Sequence, residues 1–251
     1  MRRARSLVAI SIIFLLLWPG LIVGQGKKTV AYKAGEAVAS PPSAPPLAVN
    51  DIVLKMSDRL ARRDSQFFGY TVNRTYEVVS DDKKPPYVVQ SEMTFNSSSR
   101  TKTFKLLSKS GNGGTIPNMV YDHAVTVEKE SMSVSAGKQS GITVENYDFI
   151  LHGQEQAGGV DCYVLELKPK RNDKMLLKGR VWVTTTNFDV VRVEGATAKS
   201  PSIWIKRVYL ARQFQEINGL WWPQQEDWTV DVRLYGQLKV KIKHQDYRIT
   251  K

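Results

Sequence analysis

Near the end of the chain, polar and apolar residues alternate over a long stretch, from Val230 to Lys243. Successive side chains of a β-strand point to opposite faces, so the pattern predicts strand structure in an antiparallel sheet that is wet on one side. Gly236 interrupts it as a bulge, a sharp bend or the tip of a tight hairpin. The apolar face comprises Val230, Val232, Leu234, Leu238, Val240 and Ile242, and the polar face Asp231, Arg233, Gln237, Lys239, Lys241 and Lys243.

Most of the remaining chain shows the same strand-like alternation, bounded by turn residues such as Gly158-Gly159 and Asn218-Gly219. The Gly-rich segment 110–115 is interpreted as a flexible loop, and segment 146–153 fits either a short helix or a strand. Strands are predicted at 67–79, 87–96, 100–110, 124–134, 160–168, 179–185, 189–195, 202–217 and, with the interruption at Gly236, 220–249.

One helix stands out, at 50–64, where Ile52, Met56 and Leu60 recur every four residues. Its default interpretation is a helix that packs on a core. One short helix and a long meander must together bury a wide apolar sheet face. The sequence therefore predicts a mainly β, α+β fold in which a curved sheet carries the helix across its mouth.

The N-terminus has the pattern of an export signal at residues 1–26. Arg2, Arg3 and Arg5 precede the apolar run from Leu7 to Leu17, and Pro19-Gly20 interrupts the uncharged stretch. That stretch is also long enough to span a bilayer, so an uncleaved inner-membrane anchor is the alternative. Residues 27–49 have the Pro, Ser and Ala content of a flexible linker, and 50–251 is expected to form a single domain in the periplasm.

The chain is basic, with 36 Lys+Arg against 24 Asp+Glu and a net charge of +12. The basic excess survives removal of the predicted signal. Such charge suits an anionic membrane surface, an acidic glycan or nucleic acid, although export argues against nucleic acid and many exported proteins are simply basic. Lys239, Lys241 and Lys243 would form a basic ridge able to meet phosphate head groups. A solubilising outer face is the favoured interpretation of the ridge.

Signatures of catalysis are missing from the sequence. The three histidines have neither another His nor a Cys at ligand spacing, and no nucleophile elbow or metalloprotease helix occurs. Cys162, the single cysteine, lies in an alternating segment and is expected to be a small buried hydrophobe. We therefore expect a protein that is not an enzyme and uses no metal or other cofactor.

Three tryptophans lie close together after the Asn218-Gly219 turn. In an extended chain Trp222 and Trp228 point to one face and Trp221 to the other, so the three cannot form one cage without a bulge, for which Pro223 is the natural place. Trp222 and Trp228 share the parity of the apolar face and are expected to line the core or a cavity. Trp221 is the better candidate for an exposed surface contact.

The segment 151–195 resembles the LolA-like outer-membrane lipoprotein-sorting family. The likeness extends from about residue 147 to 225 and includes the later "NGLWWPQQ" step. It comprises a Gly-x-Glu segment, a Gly turn, a strand ending near Pro, a strand with a Trp and a strand ending in Val-Arg-x-Glu. The matching residues are Gly153, Glu155, Gly159, Tyr163, Leu165, Leu167, Pro169, Trp182, Val191, Arg192 and Glu194.

The resemblance implies an incomplete antiparallel β-barrel, or half-barrel, closed by a helical lid. It also implies a carrier-like function in which the concave cavity holds an acyl chain, lipid, lipoprotein or other apolar ligand. The alternative is an envelope module that docks or senses a protein partner without carrying lipid, and in either case the protein is expected to be a monomer. The cavity candidates are Ile52, Met56, Leu60, Trp182, Trp222, Trp228, Val230, Val232 and Leu234.

Overall fold

A computed structural model describes residues 47–64, 66–80, 83–130 and 140–250. The predicted signal, and the predicted linker up to residue 46, lie outside the described residues. The helices are α1 (Val49–Asp64) and α2 (Thr115–Glu130). The strands are β1 (Gly69–Val79), β2 (Tyr87–Asn96), β3 (Thr101–Gly111), β4 (Tyr147–Ala157), β5 (Val160–Pro169), β6 (Leu177–Thr184), β7 (Val190–Thr197), β8 (Ile205–Ile217), β9 (Leu220–Val232) and β10 (Gly236–Thr250).

All the strands belong to one antiparallel sheet of ten strands, in the order β3-β2-β1-β10-β9-β8-β7-β6-β5-β4. Consecutive strands pair with each other except β3 and β4, which are separated by α2, and the first and last strands pair with each other, Tyr76 opposite Ile242. Strands β3 and β4 are the two edges, so the sheet formed by the described residues does not close into a barrel. The predicted half-barrel is confirmed.

The β8–β9 and β9–β10 turns fix the register of the C-terminal strands. Asn218 and Gly219 both have positive φ, 54° and 77°, as a two-residue hairpin turn requires. The predicted final strand is two strands, because the chain reverses at residues 233–235 and pairs Gly236 with Val232. Leu234 therefore lies at a turn and is 99% exposed, so its predicted place in the cavity is wrong.

The structure has a second helix over 124–130, where the sequence predicted a strand at 124–134, and residues 131–134 lie outside the described residues. Within α2, Val120, Tyr121 and Ala124 are buried against the sheet, and Pro117 lies in the first turn, where a missing N–H is tolerated. The β-branched residues at the C-terminal end of α2 alternate as they would in a strand. Packing of the apolar face of α2 on the sheet overrides this local preference for strand structure. The uncertain segment 146–153 belongs to strand β4.

Both helices lie on the concave side of the sheet. Ile52, Val53 and Met56 of α1 are buried in the same core as inward-facing residues of β1, β2 and β5–β10. Helix α2 contacts β1 and β3, whereas α1 contacts β4. The concave face thus has two halves, one under each helix. Neither helix is long and apolar enough to cross a membrane within the part of the chain that the structure describes.

Candidate functional site

A cavity of about 90 Å³ lies between the C-terminal end of α1 and the concave face. Its walls are mainly aliphatic and aromatic side chains, with a few charged groups at the margin. Tyr147 is one of the walls, and its buried hydroxyl accepts a hydrogen bond from the Leu177 amide at 3.0 Å. The lining residues are Leu60, Arg63, Tyr70, Ser140, Ile142, Tyr147, Leu177, Asp189, Val190, Val193, Leu210, Arg212, Phe214, Trp221, Trp222 and Pro223.

Trp222 is the largest side chain in the cavity wall and the centre of an aromatic cluster. Its ring centroid lies 4.9 Å from that of Tyr70, 5.1 Å from Phe67 and 5.3 Å from Tyr247. The Tyr247 hydroxyl donates to the Pro223 carbonyl at 2.7 Å. Offset and edge-to-face pairs of this kind stabilise by about 0.5–1.5 kcal/mol each beyond burial, so this wall is rigid.

A β-bulge lies next to Trp221 and Trp222, which both line the cavity. Gln213 pairs with Gln225 but the next residue, Phe214, pairs with Pro223, so Gln224 is the extra residue. A bulge reverses the facing of the residues beyond it. Trp222 therefore lies in a cluster separate from Trp228, which is part of the main core. The sequence allowed a bulge at Pro223, and it occurs one residue later.

Helix α1 is held over the cavity by polar contacts at its margin. The Arg59 Nε donates to Asp189 Oδ1 at 2.8 Å, and its Nη2 donates to the Gly219 carbonyl at 3.0 Å. One turn earlier, the Lys55 ammonium lies 4.8 Å from the centroid of the Phe188 ring. We call Arg59, Asp189 and the Gly219 carbonyl the α1 latch. The Arg59 side chain is 21% exposed, so water reaches this latch.

The other half of the concave face contains a row of buried ionisable side chains. Glu128 of α2 accepts from Arg74 Nη1 and from Lys102 Nζ, each at 2.5 Å. Further along the row, Glu226 accepts from Arg212 Nη2 at 2.9 Å and from Trp228 Nε1 at 3.2 Å. His244 lies between the two groups, with its Nε2 3.3 Å from Glu226. We call Arg74, Lys102, Glu128, Arg212, Glu226 and His244 the charge row.

Burial and pairing shift the pKa values along the charge row. Burial raises the pKa of Glu128, but the charges of Arg74 and Lys102 outweigh it and lower that pKa to about 2. Burial lowers the pKa of Lys102 to about 8 despite Glu128. Burial and the Arg74 charge lower the pKa of His244 to about 4. His244 is therefore neutral at pH 7, while the carboxylates of Glu128 and Glu226 are ionised.

Sequence reasoning did not find the charge row. Its members lie on β1, β3, β8, β9, β10 and α2, so no short motif contains them. A signal was present, because Arg74 shares strand parity with buried Tyr76, and His244 with buried Ile242. An ionisable residue at an inward position of a strand is rarely buried without partners. Such a residue predicts partners, though not their identity.

Two of the predicted cavity residues line the cavity, Leu60 and Trp222. Four others are core residues elsewhere on the concave face: Ile52, Met56, Trp228 and Val230. Val232 is partly buried against that core.

Trp182 is buried with Cys162, Val164, Val191 and Trp221, whereas its neighbours Val181 and Val183 face the main core. Trp182 therefore lies on the outer face of the sheet, and its assignment to the cavity is wrong.

Trp221 is 8% exposed and lines the cavity, so the expected surface contact is wrong. The contact of its ring with Gly158 and its packing in the cluster of Cys162 and Trp182 account for the burial. Cys162, with which Trp221 packs, is fully buried as predicted, and burial raises the pKa of its thiol to about 11.

The predicted lysine ridge lies on the outer face of β10. Lys243 pairs with Glu77 at 3.0 Å and Lys241 lies 3.9 Å from Asp227. Acids on both neighbouring strands thus balance two of the three lysines, as in a solubilising face. Lys239 is exposed nearer the β9–β10 turn.

Residues that carry the family resemblance meet on the outer face of β4–β7. Trp182 Nε1 donates to Glu155 at 3.1 Å, the Arg192 guanidinium lies 4.7 Å from the Trp182 ring centroid, and Arg192 pairs with Glu194 at 2.6 Å. These contacts stabilise the sheet on its outer face. The sequence pattern that carries the family resemblance therefore specifies the fold.

Among the described residues, no three His, Cys, Asp or Glu side chains converge as a metal site requires. The concave face offers apolar surface and fixed charges.

A family model described as "Uncharacterized protein" matches residues 135–248. No curated protein matches the chain. A solved structure of a DUF1329 family protein from Desulfovibrio piger is 13% identical, with a TM-score of 0.41, and the match covers 79% of this chain and 90% of that one. A lipoprotein-sorting protein domain from Vibrio parahaemolyticus is also 13% identical, with a TM-score of 0.41 and coverages of 79% and 91%. A LolA superfamily protein from Nitrosomonas europaea is 13% identical, with a TM-score of 0.37 and coverages of 82% and 95%.

The chain resembles the LolA-like family. The architecture expected from that resemblance, an open antiparallel half-barrel with helices on its concave side, is the one that the described residues adopt.

Proposed function

We propose that this chain is a non-enzymatic periplasmic binding protein that takes up one apolar chain, such as the acyl chain of a lipid or lipoprotein, between α1 and the concave face. The observation that carries the proposal is the cavity beside the C-terminal end of α1, with walls of Leu60, Leu210, Phe214 and Trp222. An apolar trough binds an acyl chain through burial, at about 0.8 kcal/mol for each CH₂. No catalytic group is needed for that.

The closed cavity is too small for such a ligand as it stands. Its volume is about 90 Å³, whereas small-molecule pockets usually enclose about 300–1,000 Å³. Uptake therefore requires the C-terminal end of α1 to move away from the sheet. We propose that α1 is the lid.

The cost of moving α1 is modest beside the gain from binding. The latch is a partly exposed ion pair and one hydrogen bond to a carbonyl, and contacts of this kind are each worth about 1 kcal/mol. Several buried CH₂ groups offset that cost. The aromatic wall around Trp222 stays fixed because its rings are held from several sides.

Two cations at the cavity suit a ligand with a polar or anionic head. Arg63 and Arg212 both line the cavity, and the Arg63 guanidinium lies 5.8 Å from the Trp222 ring centroid. Arg212 is bound to Glu226, whereas Arg63 lies on the mobile side of the site and donates to the Trp221 carbonyl at 3.4 Å. We propose that the head group lies toward Arg63.

The test is to purify the chain, extract it with organic solvent, and record native mass spectra before and after extraction. A fluorescent fatty acid is then titrated into the stripped protein. We expect a co-purified lipid and saturable uptake. A protein that carries no lipid and ignores the probe, even with the latch removed by Arg59→Met, would refute the proposal.

A filled cavity provides the matched control. In Val193→Phe the larger ring occupies the space where the chain would lie, and we expect the probe to bind at least tenfold more weakly. The same substitution at Val144, which is 41% exposed, should leave uptake unchanged. Circular dichroism verifies that both variants are folded.

The small volume of the closed cavity also supports a second candidate, an envelope interaction module that carries no lipid. Strands β3 and β4 each leave one edge unpaired within the described sheet, and an open edge can accept a strand from a partner. Pull-downs that recover one stoichiometric protein equally well with lipid-stripped and untreated chain would favour this candidate.

A further inference from the structure

Four large apolar side chains are exposed together at one end of the sheet. Ile203 and Trp204 lie in the β7–β8 loop and are 76% and 38% exposed, and Leu234 and Tyr235 lie in the β9–β10 turn and are 99% and 43% exposed. The Arg233 amide donates to the Trp204 carbonyl at 2.7 Å, which joins the two segments. We call these four residues the tip. Single exposed apolar residues are normal on proteins, but a group on adjoining loops suggests an interaction site.

The backbone of the tip is strained at its most exposed residue. Leu234 has a φ of 63°, in the left-handed region that glycine and asparagine tolerate and that bulky residues rarely adopt. The turn is closed by a hydrogen bond from the Tyr235 amide to the Val232 carbonyl. Leu234 has this strained backbone although its side chain is not buried by other residues of the chain. Strain of this kind points to a use outside the fold.

Basic residues surround the tip. Arg233 lies within the turn, and Lys199, Lys206 and Arg207 flank the exposed loop residues, all with exposed side chains. Lys239 follows on β10, with an exposed side chain. The acid nearest in sequence, Asp231, is half-buried and accepts a hydrogen bond from Gln237 at 3.0 Å.

We propose that the tip docks this protein on an anionic lipid bilayer, with Leu234 and Ile203 entering the acyl boundary. Trp204 and Tyr235 are residue types that favour the membrane–water interface. The surrounding lysines and arginines complement anionic head groups. The tip projects instead of forming a groove, which suits insertion into a fluid surface better than the grip of a peptide. The proposal does not depend on the cavity.

The experiment places an environment-sensitive dye on the full chain at Leu234→Cys or, at the opposite end of the sheet, at Asn187→Cys. Native Cys162 is fully buried and should not react. The labelled proteins are mixed with phosphatidylcholine vesicles with or without phosphatidylglycerol, and with lipids that carry a quencher in the acyl region. We expect a blue shift and quenching at position 234, only with phosphatidylglycerol and reversed by salt, and neither at position 187.

Both labelled chains contain the same N-terminal residues, so membrane attachment through those residues affects the two equally. Equal quenching at positions 187 and 234, or none at 234, would overturn the proposal. A dye at 234 that responds only to a lipid-free envelope extract would assign the tip to a protein partner instead.

Leu234→Asn separates docking from folding. Asparagine tolerates the left-handed backbone, so this variant should melt no lower than the parent. It should bind anionic vesicles roughly tenfold more weakly, because the side chain that enters the apolar layer is lost. Leu107→Asn, at a leucine that is 50% exposed on edge strand β3, should bind like the parent. Unchanged binding by Leu234→Asn contradicts insertion. Val193→Phe, which fills the cavity, should bind anionic vesicles like the parent. A failure of the cavity proposal can therefore be distinguished from a failure of the docking proposal.

Discussion

Helix α2 is held on its half of the concave face by buried ion pairs as well as by apolar packing, whereas helix α1 is held on the other half by apolar packing and a latch at its rim. On the α2 side, Glu128 accepts from both Arg74 and Lys102, and all three side chains are buried. On the α1 side, Arg59 makes the margin contacts and the wall behind it is apolar. The cavity lies on the α1 side.

The contrast suggests how α2 can stay on its half of the concave face while α1 moves away from the other half. Separating α2 from the sheet would break both ion pairs of Glu128 and the apolar packing of Val120 and Ala124. Separating the C-terminal end of α1 exposes apolar surface that a ligand can cover again. We therefore expect α1 to move more readily than α2. The following predictions test that asymmetry.

The largest effect is expected from Glu128→Gln. The substitution leaves Arg74 and Lys102 buried beside each other without a counter-charge, and removing one partner of a buried ion pair costs about 3–5 kcal/mol. Urea unfolding followed by tryptophan fluorescence measures the loss. Glu166→Gln is the matched control because its carboxylate meets half-exposed His152 at the surface, and its unfolding midpoint should hardly move. Similar midpoints for both variants would contradict a fixed α2 half.

The charge row also predicts a loss of stability in acid, first through His244. Its pKa is lowered from 6.5 to about 4 in the folded chain, so the unfolded state binds more protons between these values. Stability present above pH 6.5 should therefore fall as the pH drops toward 4, by on the order of 3 kcal/mol. The lowered pKa values of Glu128 and Glu226 extend the loss below pH 4.5.

His244→Gln separates the two acid windows. The variant cannot gain the imidazole proton, so its unfolding midpoint should be flat between pH 6.5 and 4.5 and fall only below that range. His152→Gln, at a half-exposed histidine, should keep the slope of the parent. A parent midpoint that does not change between pH 6.5 and 4.5 would show that His244 is not held neutral by burial.

The strand-rich half-barrel could be predicted because local patterns determine most of it. Alternation places Val230, Val240 and Ile242 inward, and the Asn218-Gly219 dipeptide specifies a tight turn. The 3.6-residue period of α1 is unambiguous. Helix α2 was not predicted because the sequence around Val125 and Val127 alternates as in a strand. The segment is helical because Val120 and Ala124 pack on the sheet.

The candidate site was less predictable because it depends on long-range geometry. The bulge at Gln224 changes the facing of Trp222 relative to Trp228, and its exact position follows from pairing with β8, not from the residues themselves. Leu234 was misplaced for a related reason, since a hairpin and a continuous strand have the same alternation around Gly236. The ions of the charge row meet only after the sheet is assembled.

The smallest effect on stability is expected from Arg59→Met, which opens the α1 latch. The substitution removes the ion pair with Asp189 and the bond to the Gly219 carbonyl, but keeps much of the aliphatic stem. Because the pair is partly exposed, the loss should be about 1 kcal/mol or less. Uptake of a fluorescent fatty acid should nevertheless become faster in stopped-flow mixing, since the lid opens more often.

Arg62→Met, at the exposed residue three positions along α1, should leave the rate unchanged. Slower uptake by Arg59→Met would mean that the latch shapes the bound state, and α1 would then not act as the lid.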